Sequence, residues 1–109
     1  MSAPSTRPVI AHMVYFTLKD PSPAAQDKLV ADCHKYLKVA PGILYFAAGP
    51  RVPDLTRGVN VTDFHVGLHI IFDGRQAHDD YQVSETHLRF IAENNETWAQ
   101  VRVFDCSAN

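Results

Sequence analysis

An imidazole titrates near neutral pH, so it can take a proton from a carbon next to a carbonyl, and a neighbouring phenol can donate to the carbonyl oxygen. His87 and Tyr81 supply these two groups close together in the last third of the chain. The plainer alternative is that both side chains hydrogen-bond to the sheet and hold a helix down. His12 lies among apolar residues, on the same side of a strand as Val14 and Phe16, so it is expected to be buried and to need a polar partner. His65 and His69 are two residues apart on one strand face, but no third ligand lies at a telling spacing. No metal is expected there, and polar contacts at an interface are the simpler use. Cys33 and His34 are adjacent on a helix and point about 100° apart around its axis, so they do not form a nucleophile pair. Cys33 is expected to act as a small core residue.

These groups have to be positioned by the elements around them. Val9–Lys19 is rich in β-branched and aromatic residues and is stopped by Asp20-Pro21-Ser22-Pro23, which marks a first strand. Both of its faces are largely apolar, so both need a cover. Ser22 and Pro23 make an N-cap and first-turn pair for a helix over Ala24–Ala40. Its inward stripe is expected at Val30, Cys33, Leu37 and Ala40, with Asp27, Lys28, Asp32, Lys35 and Lys38 in water. Pro41-Gly42 ends the helix and Ile43–Ala48 is a second strand. Gly49 to Asn60 is a loop, and Asp63–Phe72 is a third strand with Val66, Leu68, Ile70 and Phe72 on one side. Two helices follow, Arg75–Val83 and Glu85–Glu93, the second carrying Leu88, Ile91 and Ala92. Trp98–Cys106 is the last strand.

The order strand, helix, strand, strand, helices, strand is the split βαβ pattern, so the fold class is α+β and ferredoxin-like: a four-stranded antiparallel sheet with helices on one face. Residues 1–8 form a polar, proline-rich tail and residues 9–109 a single domain, as the 109-residue length allows. The uncovered sheet face is expected to meet a second copy across a two-fold axis, giving a homodimer and a dimeric α/β barrel.

Composition narrows the function classes. Hydrophobic residues make up 46% of the chain and charged residues 20%, which is ordinary for a folded domain. Ten basic against twelve acidic residues give a net charge of −2 with no basic stripe, so nucleic acid is not an expected partner. No run is long enough to span a membrane and the N-terminal residues have no apolar stretch, so the expected compartment is the cytoplasm. There both cysteines stay reduced, and the sequons at Asn60 and Asn95 carry no meaning.

An ordered set of short motifs carries a resemblance: His12 to Asp20 in strand one, Ile71-Phe72-Asp73-Gly74, then Tyr81, Thr86-His87, and Val101-Arg102-Val103-Phe104-Asp105. Together, from Ile10 to Cys106, they resemble the stress-responsive dimeric α/β-barrel (Dabb) family. The resemblance implies a homodimer whose two sheets close a barrel, no cofactor, and for most members no defined biochemical role. The plant olivetolic acid cyclase of that family closes a polyketide by an aldol step with a His and a Tyr. By that likeness His87, Tyr81 and His12 are the catalytic candidates, and Trp98 is a pocket residue. The chain departs from the cyclase at Val66, at His34, and at Val83-Ser84-Glu85-Thr86, where the usual His-Pro is missing.

Two functions compete. One is a non-catalytic dimer of the stress response whose partner is a small hydrophobic ligand. The other is a cofactor-independent enzyme acting on a carbonyl substrate. If a pocket exists, Val14, Phe16, Val66, Leu68, Phe90 and Trp98 are the expected lining; the alternative is that these side chains simply fill the core. A haem-type monooxygenase would need an exposed axial histidine over a large apolar cavity.

Overall fold

A computed structural model describes residues 8–109; the tail expected over residues 1–8 falls almost wholly outside them. Strand β1 (Val9–Leu18) is followed by helix α1 (Pro23–Asp32), which runs into a π-helical turn (Cys33–Leu37). Then come β2 (Ile43–Pro50), β3 (Val66–Phe72), α2 (Arg75–Gln82), α3 (Glu85–Asn94), a 3₁₀ turn (Asn95–Thr97) and β4 (Trp98–Ala108). The sheet order is β2-β3-β1-β4 and each neighbouring pair is antiparallel. This is the ferredoxin-like arrangement expected from the sequence.

Pairing fixes which residues share a face. His12 stands opposite Ile70 on one side and Asp105 on the other, Val14 opposite Leu68 and Val103, and Phe16 opposite Val66 and Val101. Side chains alternate along a strand, so this set forms the helix-facing side. The core there joins Val14, Phe16, Leu18, Val66, Leu68, Ile70 and Phe72 to Leu29, Cys33, Tyr36, Leu37, Tyr81 and Phe90 from the helices. Burying each large apolar side chain contributes about 1.5–3 kcal/mol.

The first helix is capped as its sequence implies, with Ser22 Oγ accepting from the Ala25 amide at 3.2 Å and Pro23 in the first turn. Its inward stripe differs from the expected one. Leu29, Cys33, Tyr36 and Leu37 are buried, whereas Val30 and Ala40 are only half-buried. The π turn, closed by the Lys38 amide on the Cys33 carbonyl at 3.2 Å, widens the helix and brings adjacent Tyr36 and Leu37 both inward. Asp32 is likewise half-buried rather than in water, because it accepts from Lys28 Nζ at 2.8 Å and from Asn94 Nδ2 at 3.1 Å. With the 2.6 Å bond from Tyr36 to Glu93, these contacts tie the π turn to α3.

Gly42 makes the exit from the helix at φ +81°, and a Cβ there would lie 2.6 Å from the Ala77 Cβ, so only glycine fits. In α3 the inward face is His87, Phe90, Ile91 and Asn94; Leu88 and Ala92 point to solvent, a one-residue rotation from the expected stripe. The larger Phe90 takes the core position. Strand β3 starts at Val66 instead of residue 63, because His65 stands at a bend where its Nδ1 accepts from the Leu18 amide at 2.9 Å.

Candidate functional site

The helices pack over β1, β2 and β3 and leave the helix side of β4 partly uncovered. A crevice of about 180 Å³ opens there, with Val14, Phe16 and Leu68 of the sheet on one side and Phe90, Ile91 and Trp98 on the other. His12, Tyr81 and His87 line the same space, as do Val101 and Val103 along the β4 edge. The three catalytic candidates therefore converge, and of the expected lining residues only Val66 is misplaced. It is fully buried in the core beside its cross-strand partner Phe16 and does not line the crevice.

Tyr81 is set by α2, which buries it at its C-terminal end, where its ring meets Phe72 at 4.9 Å. His87 follows one turn into α3, whose N-cap Ser84 accepts from the His87 amide at 3.3 Å. Ser84 Oγ also donates to the Tyr81 carbonyl at 2.9 Å, so one hydroxyl fixes the junction that brings the two rings to 4.6 Å. The missing His-Pro is thus replaced by a serine that caps the helix and ties the turn.

Burial holds the Tyr81 phenol well above its ordinary range, so it is a neutral donor at physiological pH. Burial is also the main cause that lowers the His87 pKa, and the nearby His12 adds to it; a backbone hydrogen bond with Gln82 opposes both. A carbonyl only accepts, so the ring nitrogen facing it carries the proton. Nδ1 of His87 is buried and has no hydrogen-bond partner among the described residues, which leaves it the ring's lone-pair nitrogen. A neutral base thus stands beside a neutral acid.

His12 is buried as expected, and its partner is Asp105, a residue the sequence reading did not single out. Nδ1 of His12 lies 2.5 Å from Asp105 Oδ1. Burial lowers the His12 pKa, with the Asp105 carboxylate opposing. The signal for Asp105 was its alternation with Val101 and Val103, which puts a carboxylate on the inward face of β4. His78 was also missed; its ring is 5.2 Å from that of His12, and its Nε2 is 4.0 Å from Asp105 Oδ2. His12, His78 and Asp105 form the one group with metal-ligand spacing among the described residues.

The remaining candidates lie elsewhere. His69 faces the opposite side of the sheet and shares a 3.0 Å hydrogen bond with Tyr15, while His65 accepts from the Leu18 amide. The two are separately engaged and hold no common site. His34 meets Phe46 edge to face with ring centroids 5.2 Å apart, and Cys33 is buried in the core. The face away from the helices carries a larger hollow of about 490 Å³, bounded by Tyr15, Phe64 and Phe104 and by Val52, Leu55, Val59 and Val61 of the β2–β3 connection. Phe104 is 57% exposed and Val59 83%. Among the described residues no helix is long and apolar enough to cross a membrane.

Solved structures share this fold. A Dabb family protein with a ferredoxin-like fold from Mesorhizobium loti is 22% identical, with 92% of this chain and 96% of that chain covered and a TM-score of 0.76. A dimeric ferredoxin-like protein of unknown function from Thermobifida fusca is 16% identical, with 94% and 92% covered and a TM-score of 0.76. A hydroxynitrile lyase from Passiflora edulis is 20% identical, with 93% and 94% covered and a TM-score of 0.75. Comparison with curated proteins gives no match at a significant level. The model of the stress-responsive A/B barrel domain (Dabb) matches residues 10–108. The chain belongs to that family.

Proposed function

We propose that this chain works as a homodimer whose helix-side crevice takes a small, largely apolar carbonyl compound, and that His87 and Tyr81 perform acid–base chemistry on it. The observation that carries the proposal is the convergence of a neutral imidazole with a free Nδ1, a neutral phenol and a hydrogen-bonded imidazole on one crevice lined mainly by apolar side chains. His87 takes a proton from carbon next to the carbonyl, and Tyr81 donates a hydrogen bond to the oxygen on which charge develops. The proton returns from His87 when the new bond has formed or broken, so no oxidant and no net proton is consumed. His12, anchored by Asp105, stands beside Tyr81 with ring centroids 5.8 Å apart and shapes the same wall.

Two facts support the dimer: the exposed apolar residues around Phe104 on the other sheet face, and the description of several solved relatives as dimeric. That a hydroxynitrile lyase shares the fold is consistent with a chemistry-bearing interior. A cellular role in the stress response and a cytoplasmic location belong to this proposal as well.

Trp98 is the chain's one tryptophan and lines the crevice, so its fluorescence reports occupancy directly. A panel of small aryl and alkyl aldehydes and ketones is titrated against the protein. Saturable quenching or a spectral shift by at least one of them is expected. The His87→Gln protein should keep that binding and lose about 10²–10⁴ of any turnover the panel reveals. If no compound perturbs Trp98, or His87→Gln leaves turnover intact, the proposal fails.

A further inference from the structure

His78 has no part in the acid–base pair, yet its surroundings are arranged. Its Nδ1 lies 3.0 Å from Asp79 Oδ1, and a carboxylate only accepts, so that nitrogen carries the proton. In the neutral ring Nε2 is then a bare lone pair. It is buried without a hydrogen-bond partner among the described residues and stands 4.0 Å from Asp105 Oδ2, another acceptor. Two acceptors that face each other across 4.0 Å, one of them buried, are joined favourably by a cation or a shared proton. Asp105 Oδ1 meanwhile holds Nδ1 of His12, and one ligand atom from each of the three residues falls within 4.8 Å of the others.

We propose that His12, His78 and Asp105 bind a divalent first-row transition metal, with zinc the simplest fit, on the His12 wall of the crevice. Two imidazole nitrogens and one carboxylate oxygen suit zinc and its neighbours; magnesium and calcium prefer all-oxygen sets. Bonds of about 2.0–2.2 Å in a tetrahedral site place donor atoms about 3.4 Å apart. The His12–Asp105 contact must therefore open slightly and the His78–Asp105 gap must close slightly. A rotation of the Asp105 side chain, which is 45% exposed and not packed in place, makes the first change.

The Asp79–His78 bond is the outer carboxylate that metal-bound histidines commonly have, and Asp79 is itself held by Arg75 at 2.8 Å. Three protein ligands leave a fourth position open to water or a ligand oxygen. As the metal enters, the Nδ1 hydrogen of neutral His12 moves to its Nε2, so the ring changes tautomer and the carboxylate is freed for the metal.

The proposal does not depend on the role of His87 and Tyr81. Neither is a ligand, and the test needs no substrate. Protein without an oligohistidine tag is stripped with a chelator and titrated with Zn²⁺ by calorimetry and with Co²⁺ by visible spectroscopy. The expected result is one metal per chain and the intense visible bands of four-coordinate Co²⁺. His78→Ala and His78→Gln, both checked for folding by circular dichroism, should weaken binding by at least about 100-fold; Asp79→Asn should weaken it by about 10–100-fold. His69→Gln, on the opposite face, should change nothing. The proposal is overturned if no stoichiometric binding occurs, if both His78 variants bind like the parent, or if His69→Gln abolishes binding.

Discussion

Asp105→Ala should cost this protein about 2 kcal/mol, and the reason lies in its partner. Only 4% of His12 is exposed, and its Nδ1 hydrogen has the Asp105 carboxylate as acceptor at 2.5 Å. Removing that carboxylate leaves a buried donor unsatisfied, which costs about 1–3 kcal/mol; the charged acceptor argues against the lower end. The Asp105 side chain is itself 45% exposed, so little desolvation is recovered in return.

For a domain of this length about 2 kcal/mol lowers the melting temperature by about 8–16 °C. Urea unfolding at fixed protein concentration and with chelator present separates this effect from dimerisation and from metal. Asp105→Asn, whose amide oxygen still accepts, should lose less than half as much. In a His12→Leu background Asp105→Ala should be close to neutral, since the donor is gone, and the cycle then gives a coupling of about 2 kcal/mol. The reasoning is refuted if Asp105→Ala costs less than about 0.5 kcal/mol, or costs the same with and without His12.

Two further outcomes follow from the geometry. Phe104→Asp puts a charge on the exposed apolar face of the sheet, and if that face joins two copies, sedimentation at micromolar concentration should show the parent as a dimer and the variant as a monomer; a parent that sediments as a monomer, or a variant that stays dimeric, would remove this surface as the interface. The Cys33 thiol is pushed up to about 12, chiefly by burial, and the Asp32 charge acts in the same direction. A Cys106→Ser protein at pH 8 should therefore show no fast reaction with a disulfide reagent until it is unfolded, whereas rapid native-state labelling would mean that the helix–sheet core opens far more readily than its packing implies.

Much of the fold was legible in the chain because it rests on local rules. The alternation of Val66, Leu68, Ile70 and Phe72, the cap at Ser22-Pro23 and the break at Pro41-Gly42 are set by neighbours a few residues apart. Element order then leaves few topologies, and the ferredoxin-like sheet is the simplest of them. The site was legible in part: His12, Tyr81, His87 and Trp98, to which the family resemblance pointed, line one crevice, and so does Phe90, read as apolar lining. What was not legible depends on register and on side-chain competition. The π turn that brings Tyr36 inward beside Leu37 and the rotation of α3 that exposes Leu88 come from filling one shared core, which a helical period read along a single segment does not contain.

The sequence alone determined the element types, their order, and which imidazole and phenol groups stand at the ends of α2 and α3, because propensity, capping and alternation act over short distances. Only the tertiary structure decided that Asp105 faces His12 across the β1–β4 ladder, that His78 approaches the same carboxylate from α2, and that Val66 is sealed in the core beside Phe16 rather than open to the crevice. Those contacts join residues far apart in the chain. Strand pairing and helix docking bring them together, and a change of one residue in either register would turn each side chain to the opposite face.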